Sequence, residues 1–160
     1  MTFQLLLACH VLAGITATLA GAAAMLVRKR RGRHTWPGTV YLAALLVIVV
    51  TASGMGALHW PRVNHLLILA GIALAGATLG YAARRVAWRG WLPYHITGMG
   101  ISYIAMLTAF YVDSGPNLPL WRLLPPIAFW FLPAAVGLPI LVHALIRHRP
   151  GRRTPAPPRS

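Results

Sequence analysis

Five apolar runs, each about 20–25 residues long, alternate with short polar connections along this chain. A helix of that length crosses the hydrocarbon core of a bilayer. Inside lipid a chain must satisfy its backbone hydrogen bonds internally, which leaves helices or a closed barrel. Runs this long and continuous predict an all-α fold: a polytopic transmembrane bundle of five spans within residues 1–146. The spans are expected at residues 3–27, 37–58, 64–83, 95–113 and 126–146. Residues 147–160, RHRPGRRTPAPPRS, are expected to form a disordered basic tail.

The arginines orient this layout. Residues 28–33, 84–89 and 147–159 carry five, three and five Lys or Arg, whereas the other two connections carry only Arg62 and Arg122. Positive residues stay on the cytoplasmic side of a bacterial inner membrane. The bias predicts an outside N-terminus, a cytoplasmic C-terminus and a multi-pass protein of that membrane. The net charge of +14 is therefore read as contact with anionic lipid head groups. Nucleic acid is excluded as a partner, since no soluble domain remains to read a groove.

Carboxylate chemistry is nearly absent, because Asp113 is the one acidic residue. No carboxylate pair, acidic metal cluster, P-loop or H-E-x-x-H motif is present. The chain carries no recognisable catalytic motif. Cys9 is the single cysteine, which rules out an intrachain disulfide.

Histidines are the remaining chemical resource. In the five-span layout His10, His59 and His65 fall in the outer half, while His34, His95 and His143 fall near the inner boundary. His10, Gly14, Ala17, Gly21 and Ala24 recur at helical spacing, so His10 lies on a face of small residues that lets a neighbour or flat ligand approach. Two imidazoles at equal depth on facing helices can ligate a haem iron. The pairs to consider are His34 with His95 and His10 with His65. Tyr41 is a candidate to hydrogen-bond such a cofactor. Met99 and Met106 are read as core filling, and Gly76 with Gly80 as a helix-packing spacing. The alternative for His34, His59, His65 and His95 is structural: an imidazole at a helix end bonds a backbone group, water or lipid phosphate. For Tyr41 the commoner role is to anchor at an interface or to bond a neighbouring helix.

His34-x-x-x-Gly38-x-x-Tyr41 after a basic loop resembles the signature of a family of small bacterial membrane proteins known as domain of unknown function 2306. His10-x-x-x-Gly14 is similar to an earlier motif of that family. His95-x-x-x-Met99, with Tyr103 beyond it, is similar to a later one. The resemblance spans about residues 8 to 113. The chain departs from it in its short inner loops and in lacking a Leu-Arg pair after the last motif. The family name implies no activity, and its histidine placement is similar to that of di-haem membrane cytochromes of the b type.

Two readings follow. One is a non-enzymatic bundle that binds lipid or a partner membrane protein, or forms a homo-oligomer. The other is a haem b protein with bis-histidine ligation, passing electrons between a quinone and a partner.

Overall fold

The computed structural model describes residues 2–27, 32–58, 64–119 and 121–148. Five long helices follow one another: α1 (Thr2–Leu26), α2 (Thr35–Leu58), α3 (Asn64–Val86), α4 (Trp91–Ser114) and α5 (Ala128–Arg147). Two single 3-10 turns, Gly115–Asn117 and Trp121–Leu123, fill the connection before α5. All five helices are long and apolar enough to cross a membrane. The five expected spans are thus present. The tail from 149, the connection 59–63 and most of the first arginine block lie outside the described residues.

Two helices begin earlier than the sequence suggests, each with a proline just inside the new start. α4 starts at Trp91, four residues before His95, and contains Pro93; α2 starts at Thr35 and contains Pro37. Proline is tolerated in a first turn because those N–H groups have no intrahelical partner. As a result His95 sits in the second turn of α4 and does not mark its end.

The bundle is organised as hairpins. α1 packs along α2, α3 packs most closely along α4, and α5 packs on the far side of α4. α2 and α3 join the two hairpins through a narrower seam. Glycine explains the α3–α4 approach. A Cβ added at Gly98 would lie 2.6 Å from the Gly76 carbonyl oxygen and 2.7 Å from the Gly80 nitrogen. The Gly76–Gly80 spacing is therefore a real packing device, completed by Gly98. The short link between these helices turns through Gly90, at φ 81°, a conformation that costs glycine little.

Small residues also face inward on α1. Ala17 is fully buried, while Leu5, Leu12, Leu19 and Leu26, at seven-residue intervals, are 65–86% exposed on the opposite side. The centre of the bundle holds Ala17, Tyr41, Ala44, Leu45, Ala73, Ala77, Ala105 and Met106. Met106 is thus core filling, as its type and position suggest. α5 continues through Pro133 and Pro139 as one helix, although each proline frees a carbonyl one turn earlier.

Candidate functional site

His34 occupies the turn just before α2. Its Nδ1 lies 2.8 Å from the carbonyl oxygen of Ala24. Ala24 is in the last turn of α1, where carbonyls lack an intrahelical acceptor role, and the imidazole fills that vacancy. His95 makes the matching contact in the other hairpin: its Nδ1 lies 2.8 Å from the carbonyl oxygen of Gly80 on α3. A carbonyl only accepts, so each Nδ1 carries the proton and donates it. In the neutral ring the lone pair then resides on Nε2. A backbone bond through one nitrogen is the usual way a protein aims a metal-ligating imidazole.

These two rings are close neighbours. Their centroids are 6.2 Å apart and their planes cross at 84°. Two imidazoles ligating one metal from opposite sides through bonds of about 2.0–2.1 Å would have centroids roughly 6 Å apart. Trp91 packs on the His95 ring at 5.8 Å, one turn earlier on the same helix.

Both rings line a cavity of about 500 Å³, within the range of small-molecule sites. α1, α2, α4 and α5 form most of its wall, with Tyr81 and Arg84 from α3 at the histidine end. It continues along α4 past Met99, Tyr103 and Leu107 to Tyr111 and Trp121. α1 and α5 both contribute to its lining but hardly touch one another. Gly38 lies one turn beyond His34 and borders the cavity; a Cβ added there would meet nothing within 4 Å. Space of that kind beside a ligand-bearing residue suits a flat macrocycle.

Tyr41 lies in the wall, almost wholly buried, and its hydroxyl is 2.7 Å from Ser102 Oγ on α4. The Tyr103 hydroxyl donates to the Thr18 carbonyl on α1 at 2.9 Å. An added Cβ at Gly21 would collide with the Tyr103 ring, which explains the small face of α1 at this level. Met99 lines the cavity and packs on Gly80.

The other candidate pair is not assembled. The Thr51 hydroxyl donates along its own helix to the Val47 carbonyl at 2.7 Å, leaving its lone pair for His10 Nδ1 at 2.9 Å. His65 packs its ring on Trp130 of α5 at 5.7 Å. Neither lines the cavity, and their helices are not principal neighbours. His143 is exposed on α5, and His148 Nδ1 donates to the Ala144 carbonyl one turn back. His59 lies outside the described residues.

The donor set narrows the chemistry. Among the described residues no three His, Cys, Asp or Glu side chains gather as a metal-binding group. A bare ion bound by protein alone generally takes three or more ligands. Two opposed histidines suffice when a macrocycle provides the rest. The class defined so far is a five-helix apolar bundle with a close imidazole pair lining a cavity between its helices. No protein-family model, curated protein or solved structure matches the chain.

Proposed function

We propose that this protein is a b-type haem protein of the bacterial inner membrane, with His34 and His95 as the two axial ligands. The observation that carries the reading is the close pair: two imidazoles from separate hairpins, each held by an Nδ1 bond to a backbone carbonyl, with centroids 6.2 Å apart in a shared cavity. His34 and His95 would hold the haem, which when bound would supply a one-electron couple suited to electron transfer. His34 and His95 set the tautomer and orientation of the ligating nitrogens through Ala24 and Gly80. Gly38 leaves open space on the α2 side, and Gly21 makes room for the Tyr103 ring in the wall. Tyr103 and Leu107 extend it as an apolar wall. We take the electron donor to be a lipid-soluble quinone, because the cavity is mostly apolar and lies among helices long enough to cross a membrane.

The proposal includes an outside N-terminus, a cytoplasmic C-terminus and anionic lipid at the arginine-rich loops. It also includes membership of the family called domain of unknown function 2306, on the three histidine motifs, two of which supply this site.

A second reading has its own support. The cavity is mostly apolar and long, so a lipid chain also fits it, and the protein is then a non-enzymatic lipid- or partner-binding bundle. One preparation separates the two. The protein is purified in mild detergent from cells supplied with haem, and reduced-minus-oxidised spectra are recorded. Stoichiometric Soret and alpha bands, lost in both His34→Ala and His95→Ala, are expected. Their absence from the wild type leaves the lipid-binding bundle.

A further inference from the structure

Arg84 stands where the two candidate ligands converge. It follows Gly80 by four residues, so it lies one helical turn beyond the carbonyl that holds His95. Its Nη2 donates to Thr35 Oγ1 at 3.0 Å, and Thr35 is the residue after His34. Arg84 and Thr35 both line the cavity, whereas the neighbouring Arg85 and Arg89 do not. An arginine at the end of a membrane helix ordinarily meets head groups. This one is drawn across to the other hairpin, at the edge of the cavity that both residues line.

Arg84 also has no carboxylate side chain to meet. Asp113 is the only one in the chain. It lies 18 residues after His95 on the same helix, about 27 Å away at 1.5 Å per residue. The bond to Thr35 engages one of five guanidinium N–H donors. Those donors form a planar fork suited to a carboxylate or phosphate.

The geometry points to Arg84 and Thr35 as the anion-binding end of the cavity, where they seat the carboxylates of the ligand. This rests on the haem reading, in which those carboxylates are the two propionates. Arg84 and Thr35 would hold the propionates, and Tyr103 and Leu107 would line the apolar remainder of the cavity. Arg84 thereby decides which way round the ligand enters and favours an acidic porphyrin over a neutral one.

The test uses full-length protein in detergent, titrated separately with haem b and with its dimethyl ester, while the Soret band is followed. The ester keeps the iron and macrocycle and lacks both negative charges. Wild type is expected to bind haem about 10-fold or more tighter than the ester, the usual scale for a charge-assisted bond. Arg84→Gln is expected to bind the two about equally, with ester affinity unchanged, which also shows that the variant is folded. Equal affinities in the wild type, or a preference that survives Arg84→Gln, would overturn the assignment while leaving His34 and His95 as ligands. No Soret change with either compound in the wild type removes the haem reading itself. Repeating the titration in nanodiscs separates the two sources of oxyanion. A preference present in phosphatidylcholine and lost in phosphatidylglycerol means that a lipid phosphate holds Arg84, and overturns the propionate assignment.

Discussion

The Tyr41 hydroxyl and Ser102 Oγ meet at 2.7 Å between α2 and α4, each seven residues beyond one of the paired histidines, His34 and His95. Seven residues are two helical turns, so the contact repeats, one level deeper in the bundle, the same faces that carry the imidazoles. It acts as a strut that fixes the separation and register of α2 and α4. Ser102 is fully buried and Tyr41 nearly so, which leaves neither hydroxyl any water to fall back on.

The two halves of this strut should not be equivalent. Ser102→Ala leaves a buried phenol without its partner, which costs about 1–3 kcal/mol. Tyr41→Phe leaves a serine that can turn its hydroxyl to a carbonyl of its own helix, so its cost should be about 1 kcal/mol or less. Thermal unfolding in detergent should rank Ser102→Ala below Tyr41→Phe, with both below wild type. The reverse order would mean that the contact does not brace the helices.

Gly38 and Gly98 predict opposite behaviour. A Cβ at Gly98 meets backbone at 2.6 Å, so Gly98→Ala must push α3 from α4, at about 1–3 kcal/mol or more. Gly38 faces open space, and replacing a helical glycine gains up to about 1 kcal/mol in propensity. Gly38→Leu should fold as well as wild type yet bind no haem, because its side chain fills the space beside His34. A Gly38→Leu protein with full haem content would show that the macrocycle does not lie there.

The histidines outside the cavity should be spectroscopically silent. His10→Ala and His65→Ala are expected to keep the full alpha band. His10→Ala should still lower stability by about 1 kcal/mol, since it removes the hydrogen bond to Thr51. Paired spectra and unfolding curves check both points. Loss of the band in His10→Ala at unchanged stability would relocate the site to the other end of the bundle.

Orientation is checked with reporters. A tag after residue 160 should be reached only from the cytoplasm, and a cysteine probe placed at Ser114 only from the periplasm. A periplasmic C-terminus would reverse the arginine argument and place the histidine pair near the outer face.

Much of this architecture is legible from residue order, for a physical reason. Bilayer thickness dictates span length, so five apolar runs locate five helices to within a few residues, except where Pro93 and Pro37 hide an extra first turn. The His34–His95 pairing is legible too, because both follow arginine-bearing connections and so fall at one depth. The proposed pairing of His10 with His65 fails on lateral order: α1 lies against α2 and α3 against α4, and depth says nothing about neighbours. Ser102 was invisible as the partner of Tyr41, although its matching offset from His95 was a usable signal. The acceptors at Ala24 and Gly80 are main-chain atoms, which no residue type announces. Arg84 read as one charge among several, since only the folded chain shows it reaching Thr35.

Each imidazole bonds a backbone carbonyl within its own hairpin: His34 on α1, and His95 on α3. Half of the site is therefore preformed in each unit before the two dock, and a guest held by both would act as a rivet across the α2–α3 joint. Its binding free energy then adds directly to the cohesion of the assembly, by about 2.7 kcal/mol at a hundredfold excess over Kd. The chain could accordingly be cut between α2 and α3 and co-expressed as two pieces whose association tightens when the guest is supplied.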